Sequence, residues 1–507
     1  MNESQDSGEL AACAATLGIT HPTGYPLYTL LGWAAIRMSG MDPARTMVLL
    51  SCLFGTVAAI LIAAISARVI AFLDKNGSLN RWIVAWWGAV AAGFAVIHPL
   101  MWSQSVVCEV YSLALLLQTI TWLLILNFLE AYRNSDEKSL NRLSVLLGLV
   151  VGLILAHQIG GASIVIAMGV IAFFVRLRFF IRRLLLFVTG LVPGPFFYAY
   201  LPIRSAQNPV LDWGNPQTWP NFWHHVTAWQ YRRYIFGTPY NDIFIRLNAF
   251  PWEKYWGVGG CVLIILGLIV LITGRDKAVR SLGLGSLVFI IWTIAFAIGY
   301  WVTDFDTFYY PLLVPSILLI ASGLGVLAIW LVRRSKILTL LLALVLVVSL
   351  VFEARNRWVD MDVSDPMLNS AALFASRAVR VLPDDTLLIT FTDGNCLSMT
   401  YAVTCGIIDP STGERLPPRP DVDLVVANWV VEDWFRENVR DRWAVDGHLR
   451  LVFPSHEREQ ALRALVDQNI AHRPVYVDGF VLDQLQGPHV HYESEAHGPL
   501  FRIVPEK

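Results

Sequence analysis

Residues 46–72 read TMVLLSCLFGTVAAILIAAISARVIAF, and Arg68 is the one charged residue in the run. A helix needs roughly 20 predominantly apolar residues to cross a bilayer, so this stretch reads as a membrane span. The pattern repeats downstream at about 82–102, 108–129, 143–157, 159–175, 184–202, 256–273, 282–302, 310–332 and 336–352, which makes about ten spans. Composition agrees. The 507 residues are 55% hydrophobic and 15% charged, with mean hydropathy +0.54, whereas soluble domains carry about 25% charged residues. Trp82, Trp102, Trp256 and Trp301 flank apolar runs, where amphipathic rings settle at the lipid–water boundary. A net charge of -1 gives no argument for nucleic acid as a partner. The fold expected is an α-helical polytopic membrane protein, with a transmembrane domain over 46–352 and a soluble α/β domain over 353–507.

Basic residues orient the spans. Lys75 and Arg81, Arg133 and Lys138, Arg176 to Arg183, Arg275 to Arg280, and Arg333 to Lys336 mark five short connections. All five fall on one side if every span crosses, and that side is cytoplasmic by the positive-inside rule. This requires the 143–175 region to cross twice, as two short helices meeting at the polar break His157-Gln158-Ile159-Gly160-Gly161. The opposite face then holds residues 1–45, the long 203–255 loop and the C-terminal domain, which is therefore expected to be extracytoplasmic on a multi-pass cell-membrane protein. Residues 1–9 are polar and carry no signal-peptide pattern.

On that outer face lies Asp6–Gly32, DSGELAACAATLGITHPTGYPLYTLLG. Asp6 and Glu9 are three apart, a spacing that puts both on one side of a helix opening at Ser7. Gly18 ends the helix, and His21-Pro22-Thr23-Gly24-Tyr25-Pro26 forces a turn. A capped surface helix explains the same residues. What raises the stretch is its company: His21, Glu109, His157, Gln158, Arg204, Asp304 and Asp306 gather on the same face, and ionisable groups at membrane depth are costly and kept mainly for function. Each also has a structural reading, as a helix-end or headgroup-zone residue. In the loop LPIRSAQNPVLDWGNPQTWPNFWHHVTAWQYRRY, the guanidinium forks of Arg204, Arg232 and Arg233 suit phosphate oxygens. An interfacial amphipathic helix with snorkelling arginines is the alternative.

Beyond residue 353 the pattern alternates strands (387–392, 423–429, 448–453, 474–477) with helices (432–443, 457–468), a small α/β domain. Its glycines make no phosphate loop, and no catalytic triad is visible. Asp393-Gly394-Asn395 reads as a turn at a strand end. The six cysteines show no metal-ligand spacing; Cys396 and Cys405 would pair if their domain faces an oxidising space.

The blocks DSGEL…LGITHPTGYPLYTLLG, HPLMWSQSVVCEVYSL, AHQIGG, YLPIRSAQNPVLDWGNP and TDFDTFYYPLLVPSILLIASGLG, with ITFTDGNCLSMTY and RPDVDLVVANWVVEDWF in the soluble part, together resemble glycosyltransferase family 117, the multispanning O-mannosyltransferase-like proteins of the GT-C superfamily. The resemblance covers most of the chain in order. It implies an integral-membrane enzyme that moves a sugar, with mannose suggested, from a polyprenyl-phosphate donor to a hydroxyl acceptor on protein or glycan. It implies Asp6 as general base with Glu9 beside it, inverting the anomeric centre, and His21, Tyr25, Glu109, His157, Gln158, Arg204, Arg232 and Asp306 as substrate contacts. Arg204 is the first choice to stabilise the leaving phosphate. No cofactor is required, and no metal is needed by the spacing, although clustered carboxylates leave room for a divalent cation. The family places a membrane helix just before the acidic motif, and residues 1–45 hold none. Two other classes fit parts of the pattern. A transporter or flippase would also carry broken helices and buried charges, and a non-catalytic scaffold would tolerate loss of Asp6 and Glu9.

Overall fold

The computed structural model describes residues 6–74, 76–362, 370–437, 457–486 and 492–504. Among them, eight helices are long and apolar enough to span a bilayer: Pro43–Leu73, Tyr111–Arg133, Glu137–His157, Leu184–Ser205, Trp252–Thr273, Lys277–Gly299, Phe305–Val332 and Lys336–Trp358. The pair Arg81–Val96 and Pro99–Ser105 makes a ninth if counted as one span, bent by 71° at His98-Pro99. A proline there removes a helical N–H and biases its predecessor away from helical angles. The expected tenth span, 159–175, becomes a 3₁₀ turn, Ile159–Ser163, followed by the helix Ile164–Ile181. Its apolar part, Ile164–Val175, is short for a crossing. The polar break at His157 is thus real, and two helices meet there.

The helix Phe305–Val332 is the axis of the bundle, with 83% of its most apolar window buried, against 11% for Lys336–Trp358 at the lipid-facing rim. Close packing elsewhere uses small residues, as expected between helices that gain nothing from leaving lipid. A Cβ on Gly148 would lie 1.9 Å from the carbonyl oxygen of Phe187, so the helices Glu137–His157 and Leu184–Leu191 touch backbone to backbone. At one end of the bundle Arg133 donates to Asp276 and to the carbonyl of Phe72, which brings together three of the basic connections.

At the other end lie α1 (Ser7–Thr16) and α2 (Pro26–Ser39), ahead of the long helix α3 (Pro43–Leu73). Asp42 caps α3 by accepting the N–H of Arg45 at 3.1 Å, with Pro43 in the first turn where its missing N–H has no partner to lose. The soluble domain sits on this end. Its sheet has the order β4-β1-β5-β7-β6, where β1 is Leu387–Thr390, β4 Asp423–Val426, β5 Val475–Val477, β6 Glu493–His497 and β7 Leu500–Val504. β1 runs parallel to β4 and β5, while β7 is antiparallel to β5 and forms a hairpin with β6. The short strands β2 (Ile407–Ile408) and β3 (Arg415–Leu416) pair apart from it. The Asp393-Gly394-Asn395 turn is instead the start of a helix, Asp393–Cys405. Cys396 and Cys405 are free thiols. Nine residues apart on one helix they stand about 13 Å from each other along its axis, beyond disulfide reach. The expected strand at 448–453, and most of the helix at 432–443, lie outside the described residues.

Candidate active site

α1 is buried between the bundle and the soluble domain, and both of its ends are tied. A Cβ on Gly8 would lie 2.3 Å from the carbonyl oxygen of Leu397, so only glycine lets the helix Asp393–Cys405 approach this closely. At its C-terminus Leu17 turns into the left-handed region, with φ 57°. There Arg204 donates from Nε to the carbonyl of Leu17 (2.9 Å) and from Nη2 to that of Thr16 (3.1 Å), while its Nη1 reaches Gln207 at 2.5 Å. This is work that any helix end with unpaired carbonyls needs done. The guanidinium expected to meet a phosphate therefore holds α1 in place.

The loop after α1 is stitched to the 203–255 segment. Ile19 donates its N–H to the carbonyl of Leu211 at 2.8 Å, and Trp213 returns one to Ile19 at 3.3 Å. Gly24 takes φ +90°. Tyr25 follows at φ 38°, ψ 50°, a left-handed conformation that costs an ordinary side chain on the order of 1–2 kcal/mol. Pro26 then opens α2.

This geometry brings three expected residues onto one point. Glu9, fully buried, accepts the backbone N–H of His21 at 2.5 Å on one oxygen and its Nδ1–H at 2.9 Å on the other. The His21 Nε2 lies 3.1 Å from the Tyr25 hydroxyl and 3.8 Å from Oδ2 of Asp6. Burial alone would push the His21 imidazolium down, but the carboxylates of Glu9 and Asp6 outweigh it and raise the ring to about 10. Asp6 stands at the mouth with its side chain 40% exposed. The dense protein around it raises its carboxyl above the ordinary range, offset by His21 and reinforced by the negative charges of Glu9 and Asp304.

A second ring of residues closes in. His157, at the end of its helix, donates from Nε2 to the carbonyl of Val110 at 2.8 Å, and its ring lies 6.2 Å from that of Tyr25 and 6.0 Å from that of Tyr28. The buried Glu109 accepts the N–H of Val110 at 3.1 Å. Tyr111 donates to Thr307 at 3.3 Å. Tyr111, His157, Gln158 and Thr307 line a cavity of about 320 Å³ together with Leu115, Ile154, Trp292 and Phe296. Arg232 and Arg233 sit on the exposed turn Trp229–Tyr234, over the rings of Trp229 and Tyr234. Their neighbour Tyr231 is within electrostatic reach of Asp6 and Glu9. Asp306 faces Lys254 and Arg246 instead, and it is Asp304 whose charge is felt at Asp6.

Several members escaped the sequence reading. Tyr111, Thr307 and Tyr231 carry no motif of their own, and only the aromatic density of the 203–255 loop hinted at the last. Trp213 is another: its ring is 5.9 Å from His21, 4.5 Å from Trp429 and stacked on Trp434, so it links the cluster to the soluble domain. His225 lies buried behind Gly24 and Gly214, and burial together with the His21 charge lowers it to about 3.

Asp6, Glu9 and His21 are the one group among the described residues whose donor atoms gather closely enough, within 4.8 Å, to suggest a cation. Both Glu9 oxygens already accept from His21, so as placed Glu9, His21 and Tyr25 form a hydrogen-bonded chain with Asp6 beside it at 3.8 Å. A chain of this kind can take a proton at Asp6 and hold an anion near His21 and the tyrosines.

Comparison with known proteins bears on the chain as a whole. Residues 6–179 match the family described as the N-terminal domain of the protein O-mannosyl-transferase TMEM260. The protein O-mannosyl-transferase TMEM260 of Mus musculus is 31% identical over 238 residues, covering 45% of this chain and 31% of the relative. Its counterpart in Dictyostelium discoideum is 23% identical over 554 aligned residues, covering 99% of this chain and 64% of the relative. The chain thus spans less than two thirds of the length of either. Two crystal structures of ArnT from Cupriavidus metallidurans share the fold. The apo form superposes with TM-score 0.58 at 11% identity and the undecaprenyl-phosphate-bound form with 0.55 at 12%, covering 99% of this chain and 93% and 92% of theirs. Its N-terminal third is therefore similar to the TMEM260 proteins and its whole architecture to that of ArnT.

Proposed function

We propose that this protein is an integral-membrane glycosyltransferase that moves a sugar, mannose by likeness to its relatives, from a polyprenyl-phosphate donor to a hydroxyl acceptor. The observation that carries this reading is the placement of Asp6 beside His21 and within electrostatic reach of Tyr111, which lines a largely apolar cavity. The likeness to proteins named O-mannosyl-transferases supports the chemistry, and the likeness to a structure bound to undecaprenyl phosphate supports a lipid-linked donor.

In this reading the donor's first isoprenyl units lie in the cavity walled by Leu115, Trp292 and Phe296, with the phosphate toward Tyr111 and Tyr25. The acceptor oxygen attacks the anomeric carbon while Asp6 takes its proton. The bond from that carbon to the phosphate oxygen breaks, and the lipid phosphate leaves with the bonding electrons, so the anomeric centre inverts. An already anionic leaving group needs positive charge and hydrogen-bond donors more than a proton. His21 supplies the charge that Arg204, held by α1, does not. No metal is invoked. The site face, with the soluble domain, is taken as extracytoplasmic; this reading counts Ile164–Ile181 as a crossing, which puts the basic connections together on the other side.

The test is transfer from short-chain polyprenyl-phosphate sugars to a mixed acceptor pool by wild type and Asp6→Asn. Transfer lost in the variant, with membrane insertion intact, is expected. Wild-type turnover in Asp6→Asn overturns the assignment of the base, and transport of the donor without transfer moves the protein to another class.

A further inference from the structure

We propose that Glu9 is not a second catalytic carboxylate but the positioning residue for His21, and that the pair sets the direction of a hydrogen-bond chain so that the Tyr25 hydroxyl must donate outward, to the departing phosphate. This rests on the transfer reading above and deepens it. Both oxygens of Glu9 accept from His21, one from its backbone N–H and one from Nδ1, and the side chain is wholly shielded from solvent. A carboxylate so engaged and so shielded is turned to His21 and away from any acceptor hydroxyl, and an ionised carboxylate, which only accepts, fixes a proton on Nδ1. The other ring nitrogen then faces the Tyr25 oxygen at 3.1 Å and Asp6 at 3.8 Å.

The groups that face His21 settle its state. Asp6 and Glu9 come from α1, Tyr25 from the same turn and Glu109 from ahead of Tyr111, while Trp213 and His225 close the back. Three carboxylates against one buried neutral histidine favour the imidazolium. An imidazolium donates from both nitrogens. Nε2–H therefore donates to the Tyr25 oxygen, and the Tyr25 proton is left to point away from His21. Tyr25 stands beside the cavity: its ring is 6.2 Å from that of His157, which lines the wall. The backbone supports the same reading. Tyr25 holds a left-handed conformation directly before a proline, and strain of that kind persists where the surrounding structure has a use for it.

A merely structural Glu9 predicts something else, so a double-mutant cycle with an independent spectroscopic readout decides. Tyr25→Phe is expected to lower kcat about 100-fold with little change in KM for the acceptor, the loss typical of one donor aimed at developing charge. Glu9→Gln, whose amide reverses one hydrogen bond, is expected to lose as much, and Glu9→Asp to recover part of it. The double variant Glu9→Gln/Tyr25→Phe should be no worse than Tyr25→Phe alone. Losses that multiply would overturn the chain, as would a Glu9→Gln enzyme whose acceptor KM rises while kcat holds, for then Glu9 touches substrate. In parallel, ¹⁵N-histidine resonances of the full-length protein in detergent should show both His21 nitrogens protonated at neutral pH, collapsing to a single-proton tautomer in Glu9→Gln. A neutral His21 in wild type would sink the proposal whether or not the protein transfers sugar. A protein that shows the imidazolium and its collapse but transfers nothing would instead leave the chain standing and remove the glycosyltransferase reading.

Discussion

Asp6 carries the sharpest consequences. As the proposed base it must be ionised to act, and burial holds its carboxyl above the ordinary aspartate range. Transfer should therefore fall on acidification at a pH above that expected of a solvated aspartate, and Asp6→Asn should lower kcat by at least about 100-fold. A pH–rate profile whose acid limb sits at the solvated value would argue against the buried setting. His21 has the opposite sign. Its folded-state value, near 10, is above the 6.5 of a free imidazole, because Glu9 and Asp6 overcome the effect of burial. The stability it lends is full below about pH 6.5 and is lost as pH rises toward 10. The gap in melting temperature between wild type and His21→Gln should accordingly shrink across that window, read by thermal unfolding in detergent.

Elements decide where those residues can stand. α1 is short, and short helices are marginal alone, so its position comes from what grips it: Arg204 at one end and the helix Asp393–Cys405 at the other. Gly8→Val should force the two backbones apart, destabilising the fold by about 1–3 kcal/mol and reducing transfer although no substrate contact is removed. Differential scanning fluorimetry beside the transfer assay checks both. The cavity gives a second element-scale test. Ala114→Phe, on the wall formed by the helix Tyr111–Arg133, should raise KM about tenfold for long polyprenyl donors and much less for donors with one or two isoprenyl units. Equal effects at every chain length would place the lipid elsewhere.

At the scale of the molecule, a soluble domain and a membrane bundle share one site. Tyr401 donates to Asp42 at 3.0 Å and accepts the N–H of Ala44 at 3.1 Å, Arg415 pairs with the same carboxylate, and Trp213 packs against Trp429 and Trp434. Much of this was legible in the sequence and the rest was not, for physical reasons. Apolar runs report spans directly, because lipid imposes one composition on any helix that crosses it, so most spans were found near their true limits. The span expected at 159–175 begins instead with a 3₁₀ turn, because an apolar stretch beside a polar break does not reveal how many residues remain for the helix. Asp6, Glu9, His21 and Tyr25 were readable because they are close in sequence and one turn folds them together. Tyr111, Thr307 and Tyr231 were not, since only packing brings them near. Arg204 was misjudged because a guanidinium answers a helix terminus as readily as a phosphate, and composition cannot tell the two acceptors apart. The helix Asp393–Cys405 was missed for a local reason: Asp-Gly-Asn opens a helix with the same residues that make a turn.

The contact between Gly8 and Leu397 also has a meaning in time. Synthesis runs from N- to C-terminus, and nearly four hundred residues separate Gly8 from Leu397, so α1 is made long before its seat. Until then the proposed base stands on a helix held at its C-terminal end by Arg204 but without the partner that packs on Gly8. Chains released early, or whose last third misfolds, would span the membrane and yet hold no ordered acidic centre. The acidic centre, translated well ahead of the soluble domain, is completed only after it.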